Sequence, residues 1–232
     1  MAHVWANLLE VRTWLMNLDD AQLELVIFDC DGVLVDSEHI ANSTLVGLLA
    51  EIGVEMTVQE SFDMFRGRTL SNAFEIVESR FGKRVPEGLA DQFYSRMDVA
   101  FRRDLKPVPG VVKALDKISL PMCVASSGPH HMMQTTLGVT GLLERFEGRI
   151  FSAVDVGRGK PFPDLFLHAA ERMRVNPEQC VVVEDAVTGV QAAVAARMSV
   201  LGYADHSTQE LLERAGATVF NDMAELPALL GM

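Results

Sequence analysis

Asp29-Cys30-Asp31-Gly32 closes an apolar run, Leu25-Val26-Ile27-Phe28, and sets two carboxylates two residues apart. Like charges that close are costly unless a cation or a proton relieves them. One carboxylate of such a pair can attack phosphorus while its neighbour handles a proton. The glycine that follows allows a tight turn. Taken alone, an Asp-x-Asp pair is as readily a solvated turn. Three further polar groups follow other apolar runs. Ser126 and Ser127 end Met122-Cys123-Val124-Ala125, Lys160 stands between Gly159 and Pro161, and Glu184-Asp185 end Cys180-Val181-Val182-Val183. Each has a plainer reading too: a helix cap for Ser126, a surface lysine for Lys160, a charged loop for Glu184-Asp185.

The elements that must position these groups are short apolar runs alternating with amphipathic stretches. Arg149-Ile150-Phe151, Ser199-Val200-Leu201-Gly202 and Thr218-Val219-Phe220 are further runs. Without polar alternation they suit strands buried on both faces of a parallel sheet. Phe166, Ala169, Ala170 and Met173 make a helical stripe behind Pro163-Asp164. Val190, Ala193 and Val194 make another, with Thr188 as its cap. The alternation predicts an α/β, doubly wound, Rossmann-like parallel sheet. In such a sheet the carboxyl ends of the strands line one crevice, which gathers Asp29, Asp31, Ser126, Lys160, Glu184 and Asp185.

Between Asp36 and Pro107 the rhythm changes. Ala41, Leu45, Leu48 and Ile52 form one helical face, and Leu89, Phe93, Met97 and Ala100 form another. No strand is expected there, and Pro107 and Pro109-Gly110 mark the return. The expected organisation is an N-terminal helical extension over 1–21, an α/β core over 22–37 and 107–232, and a small inserted α-helical cap over 38–106. The extension carries Val4, Leu8, Val11, Leu15 and Leu18 on one face, and it lacks the layout of a signal peptide.

Composition narrows the partners. Of the 232 residues, 49% are apolar, enough for a sizeable core, and the formal net charge is −12. A nucleic-acid binder needs a basic surface, so none is expected as partner. No run of about 18 apolar residues occurs, so no transmembrane helix is expected. Three cysteines in apolar settings, Cys30, Cys123 and Cys180, read as reduced core thiols in a cytosolic protein. An anionic substrate must then be attracted locally, against the bulk field.

The segment Asp29-Cys30-Asp31-Gly32-Val33-Leu34-Val35-Asp36-Ser37-Glu38 resembles the first signature of the haloacid dehalogenase-like (HAD) superfamily. Ser126 in Val-Ala-Ser-Ser-Gly resembles the second, Lys160 in Gly-Lys-Pro-Phe-Pro-Asp the third, and Glu184-Asp185-Ala-Val-Thr-Gly189 the fourth. All are in family order, and the helical insert sits where the family places its small cap. The resemblance implies that Asp29 forms an aspartyl-phosphate. It implies that Asp31 protonates the leaving oxygen and then activates water. Ser126, with Ser127 beside it, would contact phosphate, and Lys160 would balance charge. Asp29, the Asp31 carbonyl, Glu184 and Asp185 would hold Mg²⁺. Hard oxygen ligands suit that ion.

Within the family, Asp31 argues against a true haloacid dehalogenase, which lacks the second aspartate. Absence of lysine from Ser37 to Arg80 argues against a phosphonate hydrolase that uses a cap lysine. The rival is a β-phosphoglucomutase-like enzyme, with a cap histidine at the position of Ala41 and a cap arginine at that of Leu70. Phe65-Arg66-Gly67-Arg68-Thr69 resembles the family's substrate loop, so Gly67 and Arg68 are candidate substrate contacts; a solvated turn is the plainer reading. Pro121 to Pro129 and the Gly-Lys-Pro segment are similar to those of bacterial 6-phosphogluconate phosphatases. His130 and His131 read as polar residues at a helix start, with no part in catalysis. The expectation is a cytosolic, Mg²⁺-dependent phosphatase, monomer or weak dimer, acting on a small phosphorylated metabolite such as a sugar phosphate. A phosphomutase, or a catalytically silent binding protein on the same fold, are the alternatives.

Overall fold

Leu25–Phe28 forms strand β1, and all four residues are buried. A run with no face for water belongs in the middle of a covered sheet. Accordingly β1 lies between β2 (Met122–Ser126) and β4 (Cys180–Glu184), parallel to both. The computed structural model describes residues 22–65, 69–204 and 208–232. With β3 (Ile150–Ser152), β5 (Ser199–Tyr203) and β6 (Thr218–Phe220), the described strands run β3-β2-β1-β4-β5-β6, all parallel. The chain winds outward from β1 to β3, then crosses back to β4. That reversal opens a crevice at the carboxyl ends of β1 and β4.

Four helices separate β1 from the sheet's second strand before α5: α1 (Glu38–Glu51), α2 (Val58–Phe65), α3 (Leu70–Phe81) and α4 (Leu89–Asp104). No strand occurs among the described residues there. The sheet is covered by α5 (Val111–Leu115), α6 (His130–Val139), α7 (Asp164–Met173), α8 (Val187–Ala195), α9 (Gln209–Ala215) and α10 (Leu226–Leu229). Strand alternation divides the core. Val26 and Phe28 face one cluster, which continues into the insert through Leu48, Phe93 and Phe101. Leu25 and Ile27 face the other, beneath Phe166 and Ala169 of α7 and Val190 of α8. Fully burying one such side chain contributes about 1.5–3 kcal/mol.

Three local expectations need correction. On α4 the buried stripe is Leu89, Phe93, Met97 and Phe101; Ala100 is only half-buried. A step of four from Met97 keeps the larger ring on the stripe, where a step of three does not. On α8, Val190 and Ala193 are buried but Val194 is 45% exposed, one position round the helix. Thr188 does not cap that helix: the cap position is Ala186, and Glu184 accepts from the N–H groups of Asp185 and Ala186. The side chain that meets those amides comes from the strand, not from the helix. The proposed N-terminal helix over 1–21 lies outside the described residues, as do Gly67 and Arg68.

The turn after β1 joins both connections to the insert. Gly32 N–H donates to the Val35 carbonyl, and Leu34 and Val35 N–H donate to that of Cys30. Val35 bridges Pro107, Asp36 N–H donates to the Lys106 carbonyl, and Val108 N–H to that of Leu34. Entry and exit of the insert thus run side by side next to Asp29 and Asp31. No helix among the described residues is long and apolar enough to cross a membrane.

Candidate active site

Asp29 is the first residue past β1, and its N–H donates to the Val183 carbonyl of β4 at 2.9 Å. This fixes it level with Glu184, the last residue of β4. Lys160 arrives from the loop between β3 and α7. Its Nζ lies 2.9 Å from Asp29 Oδ1 and 2.5 Å from Glu184 Oε1. It also sits over the Phe166 ring, 5.1 Å from its centre. The three side chains are only 6%, 12% and 0% exposed for Lys160, Asp29 and Glu184. Burial alone would lower the Lys160 pKa, but Asp29 and Glu184 outweigh it and raise it, so the ammonium stays charged.

Glu184 is held at both oxygens. Oε1 meets Lys160; Oε2 accepts from Asp185 N–H at 3.0 Å and Ala186 N–H at 2.9 Å. Gly189 in the first turns of α8 presses on the same carboxylate, and a Cβ there would collide with it. A Cβ on Gly32, whose φ is +76°, would collide with Asp185 in the same way. Both glycines are therefore needed for two acidic side chains to lie where they do.

Asp29, Glu184 and Asp185 each bring one carboxylate oxygen within 4.8 Å of the others. Desolvation raises the Asp185 carboxyl well above the ordinary range, with Glu184, Asp29 and Glu38 adding to it and Lys160 opposing. Desolvation also raises Glu184, against the pull of Lys160. Asp29 Oδ1 is buried and has no hydrogen-bond partner. Its polar contact is the 2.9 Å ion pair with Lys160. An all-oxygen set with an orphaned buried oxygen and too little positive charge fits a hard divalent cation. Because both Glu184 oxygens are committed, Asp29 and Asp185 are the side chains best placed to coordinate.

Asp31 lies on the turn after β1, and Ser37 Oγ donates to its Oδ1 at 2.7 Å. The crowded turn raises its carboxyl by desolvation, and Asp29 adds to this; the Ser37 hydrogen bond and Lys160 oppose it. Ser37 was visible in sequence only as part of the segment after Asp31; its contact depends on the turn folding back. Ser126 closes β2, the strand beside β1, and is 2% exposed. Its Oγ accepts from Gly128 N–H at 3.1 Å, which leaves its own proton to donate. Ser127 is exposed next to it.

The structure thus brings Asp29, Lys160, Glu184 and Asp185 together, with Asp31 on the adjacent turn. Gly67 and Arg68 are not among the described residues; of their neighbours, Phe65 is buried and Thr69 caps α3 by accepting from Asn72 N–H. Ala41 and Leu70, at the starts of α1 and α3, are half-buried against the apolar core. A cleft of 240 Å³ opens between Gly32, Asp185, Glu38 and Tyr203. A larger groove, 580 Å³, lies by Asn176, Glu178 and Arg197 at the opposite ends of the strands, away from these groups.

Residues 23–197 match the model of a hydrolase family described as haloacid dehalogenase-like hydrolase. The chain is 36% identical to a 6-phosphogluconate phosphatase of Escherichia coli (strain K12), over 90% of this chain and 95% of that protein. It is 32% identical to a fructose-1-phosphate phosphatase of the same organism, over 75% of this chain and 92% of that one. Among solved structures it is similar to a conserved haloacid dehalogenase-like protein of unknown function from Agrobacterium tumefaciens str. C58. That match has a TM-score of 0.84 and 40% identity, and covers 90% of this chain and 98% of the other.

Proposed function

The chain belongs to the haloacid dehalogenase-like hydrolase family, on its phosphatase side, and from that premise we propose a Mg²⁺-dependent phosphatase of small sugar phosphates or phospho-sugar acids, with Asp29 as nucleophile. The observation that carries the reading is the pairing of Asp29, buried and charge-balanced by Lys160, with Asp31 two residues on, whose carboxyl is held above the ordinary range. A carboxylate charge-balanced by an ammonium, beside a second carboxyl whose proton is held more tightly than usual, suits nucleophilic attack with general acid help.

In the proposed reaction the Asp29 carboxylate attacks phosphorus, and the bond from phosphorus to the ester oxygen breaks. Asp31 gives its proton to that oxygen, and the sugar leaves as an alcohol. An aspartyl-phosphate remains on Asp29. Asp31, now a carboxylate, takes a proton from a water that attacks the same phosphorus; inorganic phosphate leaves and Asp29 is restored. Ser126 donates to a phosphate oxygen, and Lys160 offsets the charge gathered around Asp29. Asp29, Asp185, Glu184 and the Asp31 carbonyl are the groups that would hold Mg²⁺, which when bound neutralises the phosphate and aligns it for attack. Gly67 and Arg68 are proposed as contacts to the far end of the substrate, and residues 38–106 as the cap that carries them. Three separate buried thiols support a reducing, cytosolic setting.

The names of the relatives support a sugar or sugar-acid substrate, 6-phosphogluconate first. Ala41 and Leu70 lack the side chains expected of a mutase, which favours water as the acceptor. The test is a panel of sugar phosphates and phospho-sugar acids with Mg²⁺, scored for both free phosphate and isomerised product. Phosphate release that disappears with a chelator and in Asp29→Asn is expected. Isomer formation without phosphate release would overturn the proposal.

A further inference from the structure

His130 and Asp155 take no part in the chemistry above, yet they touch the turn that carries Ser126. Ser126 ends β2 and pairs in register with Ser152, which ends β3. Ser152 is fully buried, and its Oγ donates to the Gly128 carbonyl at 2.7 Å. Gly128 is the residue whose N–H donates to Ser126 Oγ. Asp155, three residues after Ser152, accepts from Ser152 N–H at 2.9 Å. Both Asp155 oxygens also lie 2.9 Å from His130 Nε2. A carboxylate only accepts, so that ring nitrogen donates. Burial would raise Asp155, but His130 and the Ser152 amide outweigh it and hold the carboxyl below its ordinary value. From Asp155 the chain runs on through Gly157 and Gly159 to Lys160.

We propose that Ser152, Asp155 and His130 clamp the phosphate-binding turn Ser126-Gly128 to the loop that delivers Lys160, and so position both for phosphate. The turn between β2 and α6 is gripped at two points, Gly128 and His130, by residues of one segment. Beyond that segment the loop is held by Arg158 on Asp164 and by the Phe162 N–H on the Gly159 carbonyl, with two glycines, Gly157 and Gly159, before Lys160. The clamp ties the start of that loop to the serine turn, so that the two phosphate-facing segments keep one spacing. Its members are positioning residues, and the inference rests on the phosphatase reading for what it positions.

The test uses the full chain with Mg²⁺. Turnover is followed with p-nitrophenyl phosphate, and binding of inorganic phosphate by product inhibition and by calorimetry. In His130→Ala and in Ser152→Ala, KM and the inorganic phosphate constant should rise together by about five- to tenfold, with kcat changed less. His130→Gln keeps a donor at the Nε2 position and should restore most of the loss. A purely structural role would lower the melting temperature without the paired rise and without rescue by glutamine. A folded His130→Ala with wild-type KM and phosphate affinity would overturn the clamp, as would a His130→Gln no better than alanine. Wild-type protein that binds phosphate but releases none from any ester would instead sink the phosphatase reading; calorimetry on the variants would still decide the clamp. Wild-type protein that neither binds nor releases phosphate would sink both.

Discussion

Ion pairs occur in both halves of the molecule, under opposite conditions. In the insert, Arg96 meets Glu51 and Arg102 meets Asp98 with roughly half of each side chain in water. At the strand ends, Lys160 meets Asp29 and Glu184 with almost none. The groups are the same; the solvent is not. Exposed pairs gain little, because water and salt screen them and long side chains lose freedom. Buried charges cost several kcal/mol each to desolvate, and their partners only partly offset that. A cluster with more carboxylates than cations is therefore a poor way to stabilise a sheet. Its presence at the crevice, with Asp29 Oδ1 left unsatisfied, reads as a functional arrangement, while the insert pairs read as solvation.

Several experiments would break or sharpen that contrast. The largest effect is expected from Asp29→Asn, which keeps the shape and removes the nucleophile: phosphate release should fall by about 10³-fold or more, measured at saturating substrate. Retained activity would mean the buried cluster is structural after all. Lys160→Ala comes next. It leaves Asp29 and Glu184 without their cation and should cost about 3–5 kcal/mol in metal-free protein, read by urea unfolding, with part recovered on adding Mg²⁺. Gly189→Ala pushes a methyl into a carboxylate held at both oxygens and should cost about 1–3 kcal/mol in the same assay, besides weakening activity.

A smaller effect concerns pH. Asp185 and Glu184 are raised in the folded protein, so the native state binds more protons than the unfolded chain above the ordinary carboxylate range. Their contribution to metal-free stability is thus fullest at low pH and is lost as pH rises from about 4 through the raised values. Mg²⁺ favours the ionised forms, so the stabilisation it confers should grow over the same window. Melting curves of wild type and Asp185→Asn, with and without a chelator, check both signs; a metal effect independent of pH would refute the assignment. The smallest effect is expected from Arg96→Ala in the insert: no resolvable change in melting temperature or turnover. A clear loss there would erase the distinction between the two halves.

Much of this was readable before any coordinates. Leu25–Phe28 and Cys180–Val183 read as interior strands because several apolar residues in succession leave no solvent face, and the structure buries all of them. The helical character of the stretch between Asp36 and Pro107 followed from spacing of three and four. Errors fell where a side chain answers to something outside its own element. Phe101 displaces Ala100 because the neighbouring core takes the larger ring. Thr188 is no cap because the helix starts earlier, at Val187, where β4 and the Glu184 contacts with the Asp185 and Ala186 amides set the turn.

Residue order by itself determined the alternation of strands and helices, and with it the strand ends at which Asp29, Ser126, Lys160 and Glu184 would appear. Burial pattern and glycine placement are local, so they survive without coordinates. Tertiary structure alone decided how the carboxylates divide their work. Glu184 is tied to Lys160 and two amides, Asp29 faces Lys160 as an ion pair, Asp31 leans on Ser37, and His130 grips Asp155. They act in a site that also sets Asp29 beside Glu184, 155 positions away in sequence. Hydrogen-bond direction and desolvation depend on what folds against a group, and no pattern within one segment encodes that.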